Sequence, residues 1–443
     1  MIGVQLLFVV YWLGFLALAW MKRKRIHAYE DYVVAGRTQP TNGVAFSILA
    51  TAIGASALLG VSAQAEKIGW PVLWWIGVGA IGLLFQALFL TSRVRQIEAT
   101  TLPDLVGKLV GKPAAVLVAL VIALSWVGIV AAQFKAMGSV LSLFWPSVDV
   151  RLLTILSALA MVLYTLVGGQ FSVIATDRWQ FVLIVLAVIV PWLGGIWDPR
   201  AYARPFELLN DSFGWKDLLI YLVLTGGAYF VGPDMFSRVF CARDEKVARR
   251  AVVWAALGLV PLAILITWLG IMAGEMAPGQ GAGFLRLAGV KFGIVGQVLM
   301  AFGILSTLIS SADTTLLSSA TIFVQDVVGK RTVVGIQILI GVIGVVAVSL
   351  ALTQTPLLQM LLNVYSFYAP AVVAPTCVGL LASGGKKQAH KGLLLVAIVV
   401  GLVFGVVSLV GVGEFIKPDK MSAVSGVFVS LLIALVAWLV GKK

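Results

Sequence analysis

"GVAFSILATAIGASALLGVSAQAEKIGW" (residues 43–70) is long and apolar enough to cross a bilayer, yet it carries "GAS" at 54–56 in its middle. A second stretch, "LVLTGGAYFVGPDMFSR" (222–238), is interrupted in the same way by Gly226, Gly227, Gly232 and Pro233. Glycine lowers helix preference, and proline removes a backbone donor and clashes with the preceding turn. Carbonyls freed at membrane depth are tolerated only where protein or a polar cavity satisfies them. Close helix packing through small residues explains either stretch alone. Their positions argue for more than packing, because the two stretches lie five spans apart.

That count rests on composition. The chain is 60% hydrophobic and 12% charged, with a mean hydropathy of +1.04. Soluble domains are about a quarter charged, so these values indicate an integral membrane protein. Thirteen nearly uncharged runs recur along its length, each near or above the roughly 20 residues a spanning helix needs. A transmembrane β-barrel would alternate in short segments, and these runs do not. The first run is followed, not preceded, by the basic "KRKR" (22–25). That order is reversed for a secretory signal, so the reading is an uncleaved helix with its N-terminus outside.

With that orientation the cytoplasmic segments (21–40, 92–113, 170–178, 237–250, 327–331, 383–391 and the C-terminal tail) hold 22 Lys and Arg residues and the external ones 9. This positive-inside bias explains the net charge of +13 through an anionic leaflet, with no need for nucleic acid. The partners expected are the lipid bilayer and a small-molecule substrate. The C-terminus is expected in the cytoplasm, in a plasma or inner membrane. The longest connection, about 198–214, is too short to fold alone. Cys241 and Cys377 imply neither disulfide nor metal cluster. His27 and His390 fall in loops, so the intramembrane serines have no histidine base, and no enzyme is expected.

A pair of interrupted spans in matching positions of two halves points to an inverted-repeat secondary transporter, with its substrate at the breaks. The fold class is therefore all-α, with two five-helix repeats at 41–197 and 215–382. One extra N-terminal helix lies within 1–40, and two C-terminal helices lie within 392–443. The ninth span contains "LISSADTTLLSSATIFVQD" (308–326). Thr307, Ser311, Thr314, Ser318 and Thr321 recur at helical spacing and form one stripe, with Ser306, Ser310 and Asp313 beside it. One such hydroxyl commonly bonds back to its own helix. An ordered stripe beside a carboxylate instead marks an ion or substrate path. Hydroxyls and loose carbonyls supply the oxygen ligands that hard cations prefer, so a small-cation site is expected between this helix and a broken one.

"YTLVGGQFSVIATDRWQ" (164–180), "GGAYFVGPDMFSRVFCARD" (226–244) and "SSADTTLLSSATIFVQD" (310–326) resemble the sodium/solute symporters, which include sodium/proline and sodium/sugar cotransporters with the LeuT-type fold. The likeness runs from about residue 30, "EDYVVAGRTQPTNGVAFSILAT", to about 382. It implies sodium-coupled symport by alternating access, with sodium as the bound ion and the monomer as the working unit. Proton-coupled symport on the same fold and substrate sensing are the alternatives. A sensor would normally carry a long cytoplasmic domain, and the chain ends at "VGKK".

The principal sodium ligands implied are the backbone oxygens of Ala50, Ile53 and Thr307 and the hydroxyls of Ser310 and Ser311. A second ion site, present in some members, maps to Asp177, Ser310, Asp313 and Thr314. Asp177 is alternatively a cytoplasmic helix cap. Asp313 replaces a hydroxyl found in some relatives, which leaves a proton carrier or a partner for Lys135 as other roles. Lys135 itself can snorkel to the external interface. Ser56 and Ala57 map to the substrate site and Tyr229 to its inner gate, with Gln133, Trp74 and Trp75 as further candidates. Sugar-transporting members have a polar residue at the position of Ala57, so an amino acid such as proline or a small organic acid is expected instead.

Overall fold

A computed structural model describes residues 2–54, 56–195, 198, 202, 204–276, 283–353, 355–384, 388–411 and 418–441. Among these, eleven helices are long and apolar enough to cross a membrane, and a twelfth crossing is the bent pair Thr41–Ala52 and Ser56–Ile68. The longest helix, Val150–Gly195, has 46 residues and a non-helical Gly169 (φ 52°, ψ −158°). It turns back there. Tyr164 and Thr176, which ~18 Å of continuous helix would separate, join their hydroxyls at 2.5 Å. Counted as two crossings, this hairpin brings the total to the thirteen expected.

The polarity of the molecule is that of a protein in lipid. Leu152, Leu156, Leu159, Leu163, Val345 and Val346 point outward, whereas Ser47, Asp177, Arg238, Ser310, Asp313 and Thr314 are buried. Residues 170–178, expected as a cytoplasmic loop, lie inside the second arm of the hairpin, and Asp177 is fully buried. Arg238, counted above among cytoplasmic basic residues, is fully buried as well. The expected excess of basic residues on one side survives without it.

Both expected interruptions are present. In the second span the helix Thr41–Ala52 ends at Ile53 (φ −95°, ψ 77°), and the chain resumes in a wider π-helical turn, Ser56–Gly60, at a bend of 48°. In the seventh span a π-helical turn, Tyr221–Gly226, leads to Gly227–Phe230. The backbone then extends at Val231 and Gly232, and a new helix, Pro233–Cys241, begins. Proline suits that first position because its missing N–H would be unpaired there in any case. The extended residue is held by Tyr368, whose hydroxyl donates to the Val231 carbonyl at 2.6 Å.

The third and seventh spans touch backbone to backbone beside this second break. A Cβ on Gly82 would lie 2.3 Å from the Gly226 carbonyl oxygen, so only glycine permits the approach. The ninth span, Gly283–Ile322 with a π-helical continuation Phe323–Val327, departs from helical geometry at Gly293. The expected excess length of this span is absorbed by that bend.

Candidate functional site

The first break and the ninth span meet through their oxygens. Because its helix stops at Ala52, the carbonyls of its last turn lose their usual i+4 partners. Two have found others. Ser311 donates to the Thr51 carbonyl at 2.9 Å, and Tyr229 donates to the Ala52 carbonyl at 2.8 Å. The Thr51 and Ser310 hydroxyls lie 3.2 Å apart. Ser310 and Ser311, expected as sodium ligands, therefore face the end of the broken helix that carries Ala50 and Ile53. Thr307 sits one turn away and bonds its own helix through its hydroxyl, to Ile304 at 2.7 Å. The role that the resemblance implies for Thr307 is that of its backbone oxygen.

Next to these oxygens lies a buried charge cluster that sequence reading recognised only in part. Ser310 donates to Asp177 Oδ1 at 2.6 Å, and Ser47 donates to Asp177 Oδ2. Arg238 reaches the same carboxylate from the seventh span, with Nη2 3.4 Å from Oδ2 and both side chains fully buried. Its guanidinium also donates to Ser47 at 3.1 Å, to Thr51 at 2.8 Å, to Ser237 at 3.1 Å and to Thr314. Asp177 is thus an internal ion-pair partner, not a helix cap. Four elements that carry the site are tied together by one side chain.

Asp313 is fully buried and accepts from Thr314 at 3.3 Å, while its Oδ2 has no partner among the described residues. Lys135 is not its counterion. The ammonium donates to the Thr353 and Thr355 carbonyls at 2.6 and 2.8 Å, beyond the end of the helix Val333–Ala351. The cluster therefore pairs two carboxylates with one guanidinium. Its remaining negative charge is at a depth where an isolated charge is costly, which favours a cation or a proton beside it.

A cavity of about 50 Å³ opens on the other side of the break. Thr51 and Ser311 line it and belong to the hydroxyl cluster as well, so the two sites share a wall. Ser56, Gln133 and Tyr229 line it as expected. Ala57 is buried outside the lining. Trp74 and Trp75 also lie elsewhere, one bonded to the Leu208 carbonyl and the other packed on Tyr221. Trp126, Asp234 and Tyr365 are also in the wall, and none of these was expected. Trp126 stands in a uniformly apolar run, and Asp234 follows the proline that drew attention to the break.

Comparison with known proteins agrees with this architecture. Residues 32–198 match the family model described as "Sodium:solute symporter family". The chain is 26% identical over 329 residues to the high affinity choline transporter 1 of Homo sapiens, covering 67% of this chain and 56% of that protein. It is 25% identical over 470 residues to the osmoregulated proline transporter OpuE of Bacillus subtilis, covering 96% and 93%. Its fold matches a solved structure of a Na+-coupled sialic acid symporter with a TM-score of 0.82 at 18% identity, over 99% of this chain and 98% of that one. The fold is LeuT-type. In its motifs, in its family model and in its fold, the family this chain resembles is that of the sodium:solute symporters.

Proposed function

We propose that the protein is a sodium-coupled symporter of a small organic solute that works by alternating access, as a monomer in a plasma membrane with its N-terminus outside. The observation that carries this reading is the wall shared between the hydroxyl cluster and the cavity: Thr51 and Ser311 belong to both. Sodium held by the Ala50, Ile53 and Thr307 carbonyls and by the Ser310 and Ser311 hydroxyls fixes the broken second span against the ninth. That contact completes one side of the solute cavity. Ion and solute then raise each other's affinity by the same factor. The repeats 41–197 and 215–382 supply the two bodies that rock around the site. When they open inward the two spans separate, the ion loses ligands and both cargoes leave. One charge moving through 100 mV gains about 2.3 kcal/mol, roughly 50-fold in accumulation.

The excess negative charge of the buried cluster supports a second reading, in which Asp313 carries a proton in place of the ion. Thermal unfolding of the purified protein in sodium and in potassium buffers, screened with amino acids, amines and organic acids, separates the two. The sodium reading expects a solute whose stabilisation requires sodium and disappears in Ser310→Ala/Ser311→Ala. Equal stabilisation in both buffers, unaffected by that double substitution but lost in Asp313→Asn, establishes the proton instead.

A further inference from the structure

The cavity beside the break has a polarity of its own. Among its described lining residues the one charged side chain is Asp234, and three of the others, Trp126, Tyr229 and Tyr365, are large aromatics. The carboxylate sits in the first turn of the helix Pro233–Cys241, where the helix dipole favours negative charge. The Trp126 indole N–H lies 2.9 Å from each of its oxygens, a bond that strengthens when the acceptor is ionised. Trp126 is in turn held edge-on by Tyr368, with ring centroids 4.8 Å apart, so its position does not depend on Asp234 alone. The basic residue on the same helix, Arg238, is outside the lining and makes its hydrogen bonds at Asp177, Ser47, Ser237, Thr51 and Thr314, of which only Thr51 also lines the cavity. Asp234 and both tyrosines keep part of their surface accessible.

A carboxylate with aromatic rings around the same space is the chemistry that recognises an organic ammonium. The rings attract the cation through their negative faces, and a quaternary or tertiary nitrogen has methyl surface to bury against them. An anionic solute would meet Asp234 with no basic side chain in the described lining to offset it. The organic acids expected from the sequence are therefore disfavoured.

We infer that the solute carried by this protein is a small organic cation, a quaternary or tertiary ammonium, whose charge is held by Asp234 within a wall of Trp126, Tyr229 and Tyr365. This inference rests on the reading of the protein as a symporter and narrows it to one substrate class.

The test uses the full chain in lipid nanodiscs, with thermal unfolding and equilibrium binding as readouts. Its probes are choline, the uncharged isostere 3,3-dimethylbutan-1-ol, proline and lactate, each in sodium and in potassium buffer. The expected result is stabilisation by choline and not by the isostere. In Asp234→Asn, which keeps an acceptor for the indole, choline affinity falls by roughly tenfold or more, while stabilisation by sodium alone is unchanged. In Trp126→Phe, choline affinity falls as well, because the indole lines the cavity and donates to the carboxylate.

The inference is overturned if proline or lactate stabilises and choline does not. It is equally overturned if Asp234→Asn lowers the affinity of choline and of the isostere alike, which is the signature of a structural role for the acid. Stabilisation by sodium alone without any response to choline removes the substrate class and leaves the symporter reading standing. Choline binding that needs Asp234 but is indifferent to sodium keeps the substrate class and removes sodium coupling.

Discussion

Arg238→Met is expected to destabilise the protein by roughly 3–5 kcal/mol, the usual cost of removing one partner from a buried ion pair. The guanidinium donates to five side chains on four elements, and two buried carboxylates depend on its charge. Without it Asp177 keeps the hydroxyls of Ser47 and Ser310 but has no positive neighbour. Asp313 loses the nearest compensating charge in its cluster. The double variant Arg238→Met/Asp177→Asn should recover much of the loss, because the asparagine can still accept from both serines and carries no charge. Thermal unfolding in detergent measures both. A single variant as stable as the wild type, or a double variant no better than the single one, would show that the pair is not what holds these elements together.

Gly169→Ala should be nearly as damaging, for a reason that has nothing to do with charge. At φ 52° and ψ −158° the backbone of Gly169 occupies a region essentially closed to residues with a Cβ, which costs on the order of 1–3 kcal/mol where it is forced. A Cβ there would also lie 2.8 Å from the Tyr32 carbonyl oxygen and 2.7 Å from its ring, and a backbone atom cannot swing aside. The chain reverses at this residue, so any relief of the contact moves the arm that carries Thr176 and Asp177. The expected outcome is poor yield of folded protein. In the fraction that folds, the mutual dependence of sodium and solute binding should be weakened. A well-folded Gly169→Ala with intact coupling would mean that the hairpin tolerates a different turn.

The helices and both interruptions were legible in the sequence because their causes are local. Long apolar runs have one structural outcome in lipid, and Gly232–Pro233 cannot continue a helix wherever it falls. The hydroxyl face of the ninth span was legible for the same reason, since its spacing is helical. What resisted reading was pairing between distant segments. Arg238 sits among basic residues that belong to a loop, and counting charges by segment placed it in the cytoplasm with them. Its burial follows from meeting Asp177, 61 positions away. Asp177 was itself counted with the cytoplasmic segment 170–178, whereas the chain turns at Gly169 and the second arm already includes Asp177. Asp234 was passed over because the proline before it explained the break. Trp126 carries no local sign of an indole bonded to an acid 108 residues later. Lys135, by contrast, reaches carbonyls at the end of a neighbouring helix, as a snorkelling side chain does.

The central claim is that sodium binds where the broken second span meets the ninth, and it can be tested without knowing the solute. The measurement is equilibrium binding of radioactive sodium to the purified protein, compared between wild type and Ser310→Ala/Ser311→Ala, with choline held at fixed concentration or left out. The account predicts saturable sodium binding in the wild type, its loss in the double variant, and folded protein in both. Saturable binding of equal affinity in the two proteins would place the ion elsewhere, and no saturable binding in either would contradict sodium coupling altogether.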